Sequence, residues 1–247
     1  MDSWRLIEHG PGGAHWNMAV DEALFRSFSG GETPAVVRFY GWDSPAISLG
    51  RFQRVEGSID VELCKGQGIA LVRRPTGGRA VFHGTDVTFS IVKENDGGSV
   101  AESYRELGEA VAAELSSIGI PAVAFSESSG RRAMRSETNC FNLKSRFEVG
   151  VNGRKALGSA QFRTDRAILQ QNSLILGNGA VTGVDLEAVR GAVRAAIRQA
   201  FGVTLNASFL SKEEESTAEE LVRGKYGVDL WNLVGSDGVS SGPSRLR

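Results

Sequence analysis

Residues 69–93 read IALVRRPTGGRAVFHGTDVTFSIVK, and this stretch decides the fold because three apolar runs are separated by residues that interrupt them. Pro75 and the pair Gly77-Gly78 cannot continue the strand predicted at Ile69–Arg73. The chain resumes at Ala80–His83, and in Val87–Lys93 apolar and polar residues alternate as in a half-buried strand. We therefore predict strands on both sides of a glycine turn.

Local signals place further helices and strands around this turn. Ser99 and Glu102 fit a capping box that begins a long amphipathic helix ending before Gly119. Asn152-Gly153, between two alternating runs, predicts a hairpin over Arg146–Gln161 with a type I′ turn. The other predicted elements are Asn17–Phe28 with Asn17 as its cap, a helix begun by Ser58 and closed near Gly66, Asp185–Phe201, Ser211–Tyr226, Ala35–Tyr40, Ala46–Gly50 and Ala167–Leu176.

These helices and strands intermix without strict strand–helix–strand alternation, which is typical of the α+β class. The chain shows no internal repeat and no linker that would divide it. We therefore predict a single domain over residues 1–235, built on a central mixed, mainly antiparallel sheet flanked by helices. Residues 236–247 are predicted to form a disordered tail.

The composition of the 247 residues excludes several classes of function. With 28 basic and 29 acidic residues, the chain lacks the basic excess that attracts nucleic acid or membranes. No apolar run approaches the roughly 18 residues of a spanning helix, and the amino terminus lacks a signal-peptide core, so we expect a cytoplasmic protein. The two cysteines and three histidines lack zinc-site spacing, so we expect no metal. Short signatures for dinucleotides, P-loop phosphates and serine hydrolases are also missing.

Two regions hold candidate functional residues. At Gly77-Gly78 a ligand carbonyl or phosphate can approach backbone amides that a side chain would cover, and the alternative is a tight turn flanked by surface arginines. Cys140 follows a polar stretch, and an ammonium such as that of Lys155 can lower the pKa of its thiol by stabilising the thiolate. The alternative for Cys140 is a small buried apolar residue, which is also our prediction for Cys64.

Other polar residues stay open between a functional and a structural role. His83 is a candidate base or a satisfied core histidine, and the remaining two histidines are weaker candidates. The stretch Ser126–Asn139 is polar and predicts a mobile loop. It contains three arginines that either grip an acidic partner or are simply solvated: Arg131, Arg132 and Arg135.

Four blocks of the sequence resemble the superfamily of lipoate–protein ligase A and the octanoyltransferases, in the family's order and approximate spacing. The blocks are Trp16–Leu24 (WNMAVDEAL), Arg73–His83 (RRPTGGRAVFH), Cys140 and Gly153–Gln161 (GRKALGSAQ). The resemblance runs from about Trp4 to beyond Leu176, and the branch that looks closest is the LipM octanoyltransferases.

The resemblance implies a catalytic domain of the biotin/lipoate ligase type, with a fatty-acyl tunnel beside the Gly-Gly turn. It implies that Cys140 accepts the acyl group, and that Lys155 contacts the acyl carbonyl and lowers the pKa of the thiol. It also implies a set of substrate-binding residues: Arg73, Thr76, Gly77, Gly78, His83, Gly158, Ser159 and Ala160.

The implied reaction moves octanoyl from octanoyl-acyl carrier protein to Cys140 and then to a lysine of a lipoyl domain, such as that of the glycine cleavage H protein. A thioester donor needs neither ATP nor a cofactor, and we expect the enzyme to act as a monomer. Three alternatives stay open. They are an ATP-dependent lipoate–protein ligase, an amidotransferase that moves octanoyl from the H protein to other lipoyl domains, and a lipoyl-domain binding module without catalytic activity.

Two positions depart from the family's usual pattern. Leu169-Gln-Gln-Asn-Ser173 stands where Leu-Gln-His-Gly-Ser is usual, and Gly84 follows His83 where an acidic residue is frequent. Both changes bear on the pocket or on the assignment to a branch, and neither touches Cys140 or Lys155.

Overall fold

A six-stranded mixed sheet lies at the centre of the protein, whose structure is a computed structural model that describes residues 1–125, 148–176 and 185–235. In chain order the strands are β1 (Asp2–Gly12), β2 (Val36–Trp42), β3 (Ala46–Leu49), β4 (Ala70–Arg73), β5 (Val81–His83), β6 (Val87–Glu94), β7 (Ala122–Ala124), β8 (Val149–Val151), β9 (Arg154–Lys155), β10 (Leu157–Arg163), β11 (Ala167–Leu174) and β12 (Val203–Ala207). The helices are α1 (Ala14–Gly30), α2 (Val61–Gly66), α3 (Val100–Ser117), α4 (Leu186–Phe201) and α5 (Lys212–Leu221), followed by π-helical segments at Val222–Tyr226 and Leu230–Val234.

The strand order of the central sheet is β10-β11-β6-β2-β1-β12. Neighbouring strands are antiparallel from β10 to β2 and parallel from β2 to β12. The strands β4-β3-β5 and β7-β8-β9 form two smaller sheets. The prediction of a mixed, mainly antiparallel central sheet is therefore confirmed.

Helices pack on both faces of the central sheet. On one face, Val111 of α3 and Val193 of α4 share a buried cluster with Phe39 and Phe89 of the sheet. On the other face, α1 and α5 share a second buried cluster with apolar side chains of β2, β6 and β11. A sheet whose two apolar faces are each covered by helices is a stable α+β architecture, which confirms the predicted fold class.

Helix ends with strong local signals lie where the sequence predicts them. Ser99 and Glu102 form the reciprocal capping box of α3, and Ser211 starts α5 in the same way. Asp185 caps α4, which ends at Gly202 in the left-handed conformation. These signals succeed because each involves residues only a few positions apart.

Two predicted helix starts are wrong. α1 begins at Ala14 without a side-chain cap, and Asn17 lies inside the helix, where its amide donates to two backbone carbonyls. α2 begins after Asp60, whose carboxylate caps it, and not at Ser58. In both cases a residue of a type that often caps helices lies within a few positions of the start, but the helix begins at a different residue.

The predicted hairpin forms only around its turn. Asn152 and Gly153 have φ angles of 51° and 75°, as a type I′ turn requires, and they join β8 to β9. At Ala156 the chain leaves this small sheet and continues as β10, which pairs with β11 in the central sheet. The second half of the predicted hairpin is thus divided between two sheets, and residues 146 and 147 lie outside the described ranges.

The strands β1 and β12 were not predicted from the sequence. They pair in parallel, with Asp2 opposite Val203, although about 200 residues separate them. In β1 only Leu6 and Ile7 are buried, and Pro11 interrupts the run, so the strand lacks a clear alternation. β1 is a strand because it pairs with β2 and with the distant β12.

Several predictions fall on residues that the structure does not describe. These are the loop Ser126–Asn139 with its arginines, Cys140, and the tail over residues 236–247. No helix within the described ranges combines the length and the apolar character needed to cross a membrane.

The strands on both sides of the glycine turn are confirmed, but they do not pair with each other. β4 and β5 lie on opposite sides of β3, so the Gly77-Gly78 turn passes over the end of β3 at Gly50. A Cβ atom at position 50 would lie 1.9 Å from the carbonyl oxygen of Gly78, far closer than van der Waals contact. Position 50 therefore requires glycine because of close backbone approach.

We expect Gly50→Ala to lower the free energy of unfolding by at least about 2 kcal/mol, because the added methyl group forces the glycine turn away from β3. Gly66→Ala is the matched control, since nothing lies within 4 Å of its added Cβ atom. Urea unfolding of the two variants makes the comparison. Equal stability of Gly50→Ala and the control would contradict the close approach.

Candidate active site

A pocket opens beside the glycine turn between α1, β2, β3, β5, β6, β10 and β11. It encloses about 370 Å³ of empty space, which includes open solvent at its mouth. Its apolar wall consists of Met18, Tyr40, Trp42 and Val81. The strands β10 and β11 contribute Gly158, Ser159, Ala160, Gln171, Asn172 and Ser173.

Arg74 lines the pocket and fixes the glycine turn from inside. Its guanidinium group donates to the carbonyl oxygens of Ser48 at 2.8 Å, Gly77 at 2.6 Å and Arg79 at 2.8 Å. Arg74 is buried, and its hydrogen bonds to these oxygens compensate for the water that its charge has lost. The reading of this turn as one flanked by surface arginines is wrong for both Arg73 and Arg74.

Arg73 faces away from the pocket lining and connects the turn to the end of the described chain. Its guanidinium group donates to the carbonyl oxygens of Gly50, Gln53 and Trp231, and its backbone amide donates to the side chain of Asn232. The indole of Trp231 donates in return to the Arg73 carbonyl. Arg73 therefore joins β4, the loop after β3 and the last π-helical segment.

His83 connects two side chains at the pocket. Its Nδ1 lies 2.8 Å from Oδ2 of Asp86, and its Nε2 lies 2.8 Å from Oγ of Ser48. The imidazole stacks on the indole of Trp42 with 4.0 Å between ring centroids. The side chains of His83 and Asp86 are almost fully buried, as is Ser48. The result is a Ser–His–Asp chain of hydrogen bonds at the edge of the pocket.

Asp86 is ionised in this arrangement. Burial alone would raise the pKa of Asp86, but the hydrogen bond and charge of His83 and the hydroxyl donors of Ser173 and Thr88 outweigh it and lower the pKa to about 2. Four groups thus converge on this carboxylate, because the backbone amide of Gly84 also donates to it. Asp86 is the first acidic residue after His83 along the chain, three positions later.

Gln171 occupies the first position that departs from the family's usual pattern. Its Oε1 accepts a hydrogen bond from the Thr76 hydroxyl at 2.8 Å, and its Nε2 donates to Asp21 at 2.8 Å. Asp21 is fully buried and also accepts a hydrogen bond from Arg38 at 2.8 Å. An amide supplies both the acceptor and the donor, so Gln171 links the glycine turn to the buried ion pair.

Lys155 is buried on β9 and forms an ion pair with Glu148, with 2.8 Å between Nζ and Oε1. It does not belong to the pocket lining. Its predicted partner Cys140 lies outside the described residues, so their proximity stays a prediction. Cys64 is buried in α2, as expected for a small apolar residue.

The structure brings part of the predicted substrate-binding set together. His83, Gly158, Ser159 and Ala160 line the pocket, whereas Arg73, Thr76, Gly77 and Gly78 lie in or behind the adjoining turn. Sequence reasoning gave no functional role to Ser48 or Asp86, and it left Arg74 open as a surface arginine. Only Asp86 had a usable signal, an acidic side chain three positions after a candidate histidine.

We expect Asp86→Asn to change the acid sensitivity of the fold. The pKa of about 2 lies below the roughly 3.9 of an unfolded aspartate, so the carboxylate stabilises the fold above that value and loses the effect as the pH falls through its folded pKa. The stability difference between wild type and Asp86→Asn should shrink by about 1 kcal/mol between about pH 5 and about pH 3. Urea unfolding at both pH values measures it, and a constant difference would contradict an ionised, stabilised Asp86.

Comparison with known proteins extends this picture to nearly the whole chain. The model of the family named Lipoyl protein ligase A/B catalytic domain matches residues 13–197. The chain is 35% identical to octanoyltransferase LipM of Symbiobacterium thermophilum, over 94% of this chain and 98% of that protein. It is 38% identical to octanoyltransferase LipM of Kyrpidia tusciae, over 94% of this chain and 99% of that protein.

A solved structure has the same fold. The crystal structure of lipoate-protein ligase A bound with ATP superposes with a TM-score of 0.80 at 26% identity, over 94% of this chain and 99% of that one. The match of family, length and fold confirms the resemblance drawn from the four sequence blocks. The chain belongs to the lipoyl protein ligase A/B catalytic domain family.

Proposed function

We propose that this protein is an octanoyltransferase of lipoate biosynthesis, which moves an octanoyl group to a lipoyl-domain lysine through a thioester on Cys140. The observation that carries the proposal is the near full-length similarity to octanoyltransferases. The pocket supports it, because it combines an apolar wall with polar groups, among them Arg74, which bonds the glycine turn. An acyl chain binds to an apolar wall, and an acyl carbonyl needs polar groups that donate hydrogen bonds.

The proposed donor is octanoyl-acyl carrier protein, and the reaction has two halves. In the first, the thiolate of Cys140 attacks the thioester carbonyl, the carrier's sulfur leaves as a thiolate, and the octanoyl group becomes bound to Cys140. In the second, the lysine amine of a lipoyl domain, such as that of the glycine cleavage H protein, attacks this acyl-enzyme and forms a stable amide. The Cys140 thiolate is released, as in other covalent nucleophilic mechanisms.

Lys155 provides the positive charge that the mechanism requires near the sulfur. Its ammonium is buried and held by Glu148, so its position is fixed and does not depend on a mobile surface chain. We propose that the segment with Cys140 places its thiol near this ammonium, which lowers the pKa of the thiol and stabilises the thiolate. Fixed positive charge also stabilises the oxyanion that each half-reaction forms.

The competing functions make different demands. An ATP-dependent ligase would need a nucleotide but no nucleophilic cysteine. A binding module would need neither the nucleotide nor the cysteine. An amidotransferase would use the same cysteine with an octanoylated lipoyl domain as donor. The similarity to octanoyltransferases favours transfer from a carrier protein over the amidotransferase reaction, and the Cys140–Lys155 pair of the sequence favours a transferase over a ligase or a binding module. We also propose that the reaction takes place in the cytoplasm.

The test is octanoyl transfer from octanoyl-acyl carrier protein to a purified H protein without nucleotide. We expect transfer by the wild type, loss of transfer in Cys140→Ser, and near wild-type transfer in Cys64→Ala, the matched control at a buried helix position. Strict dependence on ATP would instead support a ligase. Product formation only from octanoylated H protein to a second lipoyl domain would support an amidotransferase.

A second prediction concerns the charge of Lys155. Removing Lys155 alone would break its buried ion pair with Glu148, so Lys155→Met is combined with Glu148→Gln and compared with Glu148→Gln. In a Cys64→Ala background, we expect thiol alkylation of Cys140 at neutral pH to slow by about tenfold when Lys155 is replaced, because the thiolate fraction falls. Identical alkylation rates for the two proteins would show that Lys155 does not act on the thiol.

A further inference from the structure

The hydrogen-bonded chain Ser48–His83–Asp86 has no part in the two half-reactions as described so far. Both ring nitrogens of His83 are occupied, one by Asp86 and the other by Ser48, each at 2.8 Å. Ser48 and His83 border the pocket, whereas Asp86 lies behind the imidazole. The chain therefore runs from the pocket surface into the protein.

The positions of the protons follow from the acceptor at the buried end. Asp86 is ionised and accepts the Nδ1–H of the imidazole, so in the form of the ring that carries a single proton Nε2 is an acceptor. The Ser48 hydroxyl then donates to Nε2, while Nη1 of Arg74 lies 3.2 Å from the Ser48 oxygen and donates to it. This is the orientation in which Ser48 can pass its proton to His83.

Aminolysis of the acyl-enzyme needs a proton acceptor. A lysine amine carries an extra proton at neutral pH, and its attack on a carbonyl releases protons that a nearby base must take up. Three charged or titratable groups face His83 and Ser48 among the described residues: Asp86 behind the ring, Arg74 beside Ser48 and Tyr40 on β2. Arg74 has no proton-accepting site, and burial raises the pKa of Tyr40 well above its usual value.

We propose that Ser48 and His83 form a proton relay for the aminolysis half-reaction, with Asp86 as the residue that positions and stabilises the imidazole. The ammonium of the incoming lysine gives one proton to Ser48 Oγ while the Ser48 hydroxyl proton passes to Nε2 of His83, and the neutral amine that results attacks the acyl carbon. The second proton that the nitrogen loses passes to solvent as the C–S bond breaks and the Cys140 thiolate leaves. The imidazolium that forms is stabilised by the Asp86 carboxylate and later returns its proton to solvent. This inference rests on the proposed octanoyl transfer through an acyl-enzyme.

A structural role for the same three residues predicts different kinetics. If they only shaped the pocket, their replacement would impair acyl loading and aminolysis together, and it would do so with any nucleophile. A relay matters only where a proton must be removed from the nucleophile. It leaves the attack of the Cys140 thiolate unchanged, and hydroxylamine, which is already neutral at pH 7, depends on the relay far less than lysine does.

The experiment measures the two half-reactions separately by rapid quench and intact mass. Acyl loading is followed with octanoyl-acyl carrier protein alone, and aminolysis is followed by adding either H protein or hydroxylamine to the preformed acyl-enzyme. The variants are Ser48→Ala, His83→Gln and Asp86→Asn. Ser27→Ala is the control, because Ser27 is a buried serine with a single side-chain partner, Thr33, away from the pocket.

For His83→Gln and Ser48→Ala we expect loading within about twofold of the wild type and aminolysis by the H protein slowed by about 100-fold. Hydroxylamine should release octanoyl from these variants within about threefold of the wild-type rate, and Ser27→Ala should match the wild type throughout. Raising the pH to about 10 should reduce the difference between these variants and the wild type in the rate of aminolysis by the H protein, because a larger fraction of the lysine amine has then lost its proton in solution.

Three outcomes would overturn the relay. The first is a rate of aminolysis by the H protein that equals the wild-type rate in both Ser48→Ala and His83→Gln. The second is a folded variant in which acyl loading, release by the H protein and release by hydroxylamine are all slowed equally. If His83→Gln does not fold, Ser48→Ala decides the question, because it removes only one oxygen atom. If the wild type forms no acyl-enzyme, the proposed function fails and the relay fails with it, which the loading step alone reveals.

Discussion

The carbonyl oxygens of Ser48, Gly77 and Arg79 meet at one buried guanidinium group, that of Arg74, and the pocket depends on this convergence. A buried cation is costly unless its donors are satisfied, so the three oxygens and the cation hold each other in place. The absence of a side chain at Gly50 lets the turn come close enough for these bonds to form. The polar end of the pocket is thereby positioned relative to the strands that form its apolar wall.

The sequence predicts those parts of the fold that neighbouring residues determine. The capping box of Ser99, the positive φ angles at Asn152-Gly153 and the glycine end of α4 each involve only a few positions, and all three are confirmed. The strands β1 and β12 could not be predicted in this way, because each becomes a strand through a partner far away along the chain. The division of the hairpin between two sheets has the same cause, since β11 competes for the residues after Lys155.

The candidate site shows the same division. The glycine turn and His83 were apparent from their residue types, and the positions in β10 were implied by the resemblance to the family. The partners of His83 were not, because Ser48 lies 35 positions earlier in an ordinary apolar strand and only the sheet β4-β3-β5 brings its hydroxyl to the imidazole. Likewise, the departure at Gln171 looked like a loss in the sequence. In the structure its amide forms hydrogen bonds with both Thr76 and Asp21, so Gln171 connects the glycine turn to the buried Asp21.

The proposed function is that of an enzyme that separates acyl capture from acyl delivery. Capture needs a thiolate and a fixed positive charge, and delivery needs a route for the protons of an incoming amine. The claim common to both is that the octanoyl group resides on Cys140 between the two events. Intact-mass analysis of the wild type after exposure to octanoyl-acyl carrier protein, without nucleotide and without acceptor, tests it most directly. The account predicts one octanoyl group on Cys140 that hydroxylamine removes, and a protein that transfers octanoyl without ever showing this adduct would contradict it.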